Sequence, residues 1–102
     1  MHFATKAIYG GFDDAGSQFG EVSVPIYQTS TFLFVNADDG AAKFAGKKKG
    51  YIYTRMGNQT IKALEDCGAS LENGFEGLGP ASGMATVTTL YMTFLDNETF
   101  LE

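Results

Sequence analysis

Cysteine and histidine each occur once in the 102 residues, and proline only twice. A single cysteine excludes an internal disulfide framework and any multi-cysteine metal site, and a reducing, cytoplasmic setting is the expectation that goes with it. Basic residues are few, 7 against 12 acidic ones, for a net charge of -5 and a pI near 4.7. That balance argues against nucleic acid or an anionic membrane as the main partner. No apolar run approaches the roughly 18 residues of a membrane span. The opening MHFATKAIYGG has no long apolar core, so no secretory signal is expected. Ser-His-Asp, HExxH and Walker A patterns are all missing. What is plentiful is glycine, at 13 residues, within a chain that is 44% hydrophobic and 19% charged. This is a globular composition with many tight turns or close backbone approaches. The length suits one small domain.

Residues 1–30 fit neither the helical nor the strand template and read as an arm that needs a surface to lie on. His2 falls in that terminus and is no candidate for catalysis. Residues 31–35 (TFLFV) predict a short extended stretch. Asn36 or Asp38 can cap a short helix running to about Phe44, before a break at Gly46. Lys47, Lys48 and Lys49 read either as a solvated loop or as a phosphate-binding cluster. Residues 51–55 are aromatic and β-branched, hence extended, and 56–58 turn the chain. A helix is predicted over 59–72, with Ile61, Leu64, Gly68 and Leu71 as its inward face and Asn73-Gly74 as its stop. Cys67 lies close to that face and reads as a packed small hydrophobe, since no base accompanies it. A strand or extended turn over 75–79 leads to Ser82, a good N-cap, and to a helix reaching about Leu95. Val87, Leu90, Tyr91 and Phe94 share one stripe of that helix. Asp96-Asn97 breaks it, and residues 99–101 begin another strand. This order of elements opens an α/β sheet with crossover helices.

Two places suggest anion chemistry. The start of the 82–95 helix offers amides without partners and a partial positive charge, and Gly83 lets a phosphate come close. An ordinary capped helix is the plainer alternative. In an extended strand Tyr53 and Arg55 would project to one side, and a guanidinium fork beside a phenol suits phosphate. The alternative there is an edge strand with Arg55 in a surface ion pair. A third possibility, the stretch Gly77-Leu-Gly79-Pro-Ala-Ser-Gly83 with Glu102, approximates a dinucleotide-binding loop. Its spacing is one residue too long, and Pro80 sits where backbone approach is wanted.

Five segments occur in an order that carries more than any spacing: PIYQTSTF at 25–32, GYIYTRMGNQT at 50–60, LE at 64–65, LENG at 71–74 and ASGMAT at 81–86. Together they resemble the N-terminal part of the Cys/Met-metabolism family of pyridoxal-phosphate enzymes. Its members include methionine γ-lyase, cystathionine γ-synthase, cystathionine γ-lyase and O-acetylhomoserine sulfhydrylase. FAGKKKGYIYTR is similar to the microbial methionine γ-lyase branch. The resemblance implies the α/β, aspartate-aminotransferase-like fold (fold type I), here incomplete. Residues 1–50 would be an arm and short helix for subunit contacts, and 51–102 the beginning of the large domain that binds pyridoxal 5'-phosphate.

By the same resemblance, Tyr53 and Arg55 would reach the phosphate of a neighbouring subunit's cofactor. Ser82, Gly83 and Met84 would hold the phosphate in their own subunit. The oligomer would be a dimer of dimers and the substrate a sulfur amino acid, with no nucleic acid, membrane or metal involved. The reaction implied is γ-elimination, with γ-replacement as the alternative. The family's Schiff-base lysine would lie beyond position 102, so the 102-residue chain is expected to be inactive alone. The sequence departs from the family at Gln59, where proline is usual and would preset the first helical turn. Further departures are Gly68, Pro80 and the closing LDNETFLE. Outside the family, a small dinucleotide-binding module and a non-enzymatic fragment that caps a full-length relative are the other two readings.

Overall fold

Seven residues near the N-terminus, Phe3–Tyr9, form helix α1, although so short a segment has too few hydrogen bonds to be helical alone. The computed structural model describes residues 1–12 and 18–95, and shows what holds α1. It packs on helix α3, Gln59–Glu72. Lys6 Nζ donates to Ser70 O at 3.1 Å, and Cys67 Sγ donates to Lys6 O at 3.5 Å. Gly11 passes so close to α3 that a Cβ there would sit 1.8 Å from Ala63 O. The expectation of an irregular arm over 1–30 is therefore corrected for its first part, and His2 stands at the N-cap position of a helix. Tertiary packing overrides a local pattern too short to register.

Helix α2 (Ala37–Phe44) follows the expected course. Asn36, not Asp38, is its cap, accepting from Asp39 N at 2.8 Å. Gly46 ends the corner with φ +68°. Asp39 is one of two buried polar residues among those described. Its carboxylate accepts from Val35 N at 3.1 Å, pairs with Lys43 at 3.1 Å and is bonded by Lys48. Those partners, Lys48 foremost, hold its carboxyl well below the usual carboxylate range. Phe34 closes over the corner, with Phe44 edge-on at 6.1 Å and Lys43 Nζ 5.4 Å from its ring centre.

Helix α3 begins and ends where the sequence places it. Asn58 caps the start, and Asn73 adopts the left-handed conformation at φ +53°, with Gly74 N donating to Ala69 O at 2.8 Å. Its covered side differs from the expected one. Gly11 lies against Ala63, Lys6 bonds to Cys67 and Ser70, and these three positions share a helical face. Ile61 and Leu64 are exposed, and the space beside Gly68 is open.

Helix α4 (Gly83–Phe94) is capped by Ser82 as expected, and its apolar stripe runs from 37% exposed at Val87 to 77% at Phe94. Among the described residues neither the extended stretch expected at 31–35 nor the strand or extended turn expected at 75–79 becomes a paired strand. The first is reduced to one antiparallel bridge, Thr31 with Tyr53, flanked by Phe32 N to Ile52 O at 3.1 Å and Thr54 N to Ser30 O at 2.8 Å. The second has no regular structure, with Phe75 fully exposed and Gly79 N donating to Glu65 Oε1 instead of to a strand. A strand needs a neighbour to satisfy its backbone, and these residues have little or none. The break at 96–97 and the strand at 99–101 lie outside the described residues.

No hydrophobic side chain among the described residues is buried. The chain exposes 8469 Å², where a compact chain of this mass would expose about 5,600 Å². Its radius of gyration is 16.8 Å, against about 13 Å for a compact domain of this length. No described helix is long and apolar enough to cross a membrane.

The packing predicts opposite outcomes for two glycines. Gly68→Ala, in open space within α3, should stabilise that helix by about 1 kcal/mol, read as added helicity by circular dichroism. Gly11→Ala should instead pry α1 from α3 and abolish amide-exchange protection over residues 3–9. The corner around Asp39 should be acid-sensitive. A depressed carboxyl stabilises fully above its unfolded value of about 3.9 and loses that contribution as pH falls below it. NMR contacts between Phe34 and Phe44 should weaken over that range, and Asp39→Asn should weaken them already at neutral pH.

Candidate functional site

The two segments PIYQTSTF and GYIYTRMGNQT, far apart in sequence, lie against each other. Thr60 makes the first tie: its Oγ1 accepts from Tyr27 N at 2.9 Å and donates to Pro25 O at 3.2 Å. Asn58 makes the second, donating from Nδ2 to Tyr27 O at 3.0 Å. Thr54 makes the third, through its amide to Ser30 O and its hydroxyl to Thr29 O. The bridge at Thr31 and Tyr53 closes the series. Sequence spacing does not reveal these ties, because they join residues 22 or more positions apart. The surplus of short hydroxyl and amide side chains in both segments is the signal that could have pointed to them.

Tyr53 and Arg55 are brought together, although not by a strand. Tyr53 O accepts from Met56 N at 2.8 Å and from Gly57 N at 3.1 Å, so the chain turns immediately after Tyr53. The turn folds Arg55 back over Tyr53, with Cζ 5.3 Å from the ring centre. Tyr53 is 38% exposed and Arg55 is exposed as well. Arg55 has no carboxylate partner among the described residues, so its fork of donors is available to an anion. The surface ion pair that the sequence allowed is not formed among the described residues.

Arg55 lines an open cleft whose opposite wall is formed by residues 77–81. Lys62 also borders it, paired with Asp66 at 2.5 Å, which raises the lysine's affinity for its proton. Gly77 and Gly79 in that wall serve packing on α3. A Cβ at Gly77 would sit 2.5 Å from Glu65 O, and Gly79 N already donates to Glu65 Oε1 at 2.8 Å. A carboxylate holding the loop amide is a poor host for a pyrophosphate, which removes the physical basis of the dinucleotide loop. Glu102 lies outside the described residues.

Beyond that wall the chain enters α4. Ser82 Oγ accepts from Ala85 N at 3.1 Å. The amides of Gly83 and Met84, one turn earlier than any intrahelical bond, have no partner among the described residues. Nothing lies within 4 Å of a Cβ built on Gly83, and Met84 is 70% exposed. Neither Ser82, Gly83 nor Met84 lines the cleft that Arg55 lines. The turn that carries Tyr53 and Arg55 and the helix start at Gly83 and Met84 are thus separate places on the chain.

Within the lysine run, Lys48 folds back onto Asp39, and its amide bonds to Ala42 O. Cys67 donates its thiol to the α1 backbone, which fits a packed residue.

Residues 4–99 match the family described as Cys/Met metabolism PLP-dependent enzyme. L-methionine gamma-lyase of Pseudomonas putida is 46% identical over 95 residues, 91% of this chain and 23% of that protein. A probable cystathionine gamma-synthase of Herpetosiphon aurantiacus is 43% identical over 90 residues, 88% of this chain and 25% of that protein. The crystal structure of metB from Corynebacterium glutamicum superposes with a TM-score of 0.78 at 34% identity, covering 94% of this chain and 23% of that one. The chain therefore spans about a quarter of the length of these relatives.

Proposed function

Because this chain belongs to the Cys/Met metabolism family of PLP-dependent enzymes, we propose that it serves as the N-terminal part of a sulfur amino-acid enzyme that carries out γ-elimination, as in methionine γ-lyase. The fold of the whole is the α/β, fold type I architecture. Residues 1–50 make the arm and subunit contacts, and residues 51–102 open the large, cofactor-binding domain. The working form is a cytoplasmic homo-oligomer, a dimer of dimers.

The observation that carries this reading is the exposed pair of Tyr53 and Arg55 on one turn. Its chemistry fits the phosphate of pyridoxal 5'-phosphate. The guanidinium supplies parallel N–H donors and a full charge, and the phenol adds one O–H donor. Gly83 and Met84 offer two amides with open space before them, and the partial charge of the helix start favours an anion there. Ser82 holds that start in register. Each terminal oxygen of a phosphate accepts more than one hydrogen bond, so both groups can be used on one phosphate. A site assembled from one subunit's amides and another's arginine and tyrosine uses both.

When bound, pyridoxal phosphate supplies an electron sink for the carbanion chemistry of elimination. This chain's residues bind and orient it, and the residues that transfer protons are sought outside these 102. The exposure of Val87, Leu90 and Phe94 along α4 supports a role for this face in contacts with further polypeptide. γ-Replacement is the second reading, favoured by the similarity to a probable cystathionine gamma-synthase.

A segment exchange tests both. This chain, put in place of the matching segment of the Pseudomonas putida L-methionine gamma-lyase, should yield an enzyme that retains pyridoxal phosphate and releases a thiol from methionine. Arg55→Ala in that chimera should weaken cofactor retention about ten- to hundredfold, the scale of a charge-assisted hydrogen bond. Unchanged retention would refute the phosphate role. Formation of cystathionine from an activated homoserine and cysteine, with no thiol release from methionine, would favour replacement.

A further inference from the structure

Asn58 is the most buried polar residue described, at 2% exposure, and it makes three hydrogen bonds to three different segments. Its Oδ1 accepts from Thr60 N at 2.8 Å, the ordinary N-cap bond, which aspartate or serine would supply as well. That bond fixes the orientation of the carboxamide and turns Nδ2 toward two acceptors, Tyr27 O and Thr54 Oγ1, each at 3.0 Å. Capping requires neither. Only a side chain that accepts on one edge and donates twice on the other can make all three bonds.

The two donated bonds act on the turn that carries the exposed pair. Thr54 stands between Tyr53 and Arg55. It accepts from Asn58, passes its own hydroxyl proton on to Thr29 O, and bonds to Ser30 O through its amide. The turn is thereby fixed on the arm at one end and on the first turn of α3 at the other. We propose that Asn58 is a positioning residue: its carboxamide N–H groups, acting through Thr54 and Tyr27, set the geometry in which Arg55 lies over Tyr53. The use of that geometry for a cofactor phosphate rests on the function proposed above, whereas the positioning itself does not.

The test uses the 102-residue chain and two variants. Asn58→Asp keeps the cap acceptor and removes both donors. Thr54→Val leaves the cap untouched and removes the hydroxyl that receives Asn58. In the parent chain the Tyr53 ring should shift the Arg55 side-chain proton signals upfield. Both variants should lose that shift, and Thr54→Val should keep the parent's helix content by circular dichroism. An unchanged Arg55 shift in Thr54→Val overturns the proposal, and that variant decides the matter should Asn58→Asp fail to fold. The segment-exchange enzyme separates the two ideas. If Arg55→Ala leaves its retention of pyridoxal phosphate unchanged, the phosphate reading fails, while Asn58→Asp and Thr54→Val still decide the positioning.

Discussion

One carboxamide, that of Asn58, joins the three parts of the chain on which the rest depends. It starts α3, holds the arm at Tyr27 and ties the turn at Thr54. A buried amide is costly unless every polar atom is used, and here each is. Around it, Thr60, Thr54 and the Thr31–Tyr53 bridge zip PIYQTSTF to YTRMGNQT. These two segments, which together carry much of the family resemblance, are one structural unit. Their residue types are constrained jointly, because hydroxyls and amides on one strand of chain answer backbone groups on the other.

Polar ties of this kind matter more here than in an ordinary domain, because the described residues bury no apolar side chain. Hydrophobic burial is the main favourable term in folding, and each net hydrogen bond contributes only about 1 kcal/mol. The described residues are therefore held by polar zippers, one helix pair and a closed corner around Asp39. The exposed faces of α3 and α4 are those of a layer awaiting a neighbour. The proposed cofactor site has the same character. Its arginine and tyrosine sit apart from its helix-start amides, and both are turned outward. The proposed function gives this arrangement a reason, since a phosphate shared between subunits needs each of them to present half a site.

What was legible in the sequence was local. The caps Asn36 and Ser82, the stops at Gly46 and Asn73, and the spans of α2, α3 and α4 follow from residues within one turn of each boundary. What depended on distant partners was not. Helix α1 owes its existence to α3, and the covered side of α3 is decided by two glycines that approach Ala63 and Ser70. The apolar spacing of Ile61, Leu64 and Leu71 marks a face on which Ile61 and Leu64 stay exposed among the described residues. Tyr53 and Arg55 do point together, but through a turn closed by Tyr53 O rather than through strand alternation. Gln59, where the family resemblance implies proline, occupies the first helical position, and α3 still starts there with Asn58 as its cap.

The proposed grip of one phosphate by two subunits is tested most directly with mixed oligomers of the segment-exchange enzyme. One subunit carries Arg55→Ala. The other carries Gly83→Pro, which deletes an amide donor at a first helical position that accepts proline. Each altered enzyme alone should bind pyridoxal phosphate weakly at every site. A mixed pair should regain tight binding at one of its two sites, where the intact amides of one subunit meet the intact arginine of the other. Mixed pairs that bind no better than either altered enzyme would show that both groups serve a site within one subunit, or none.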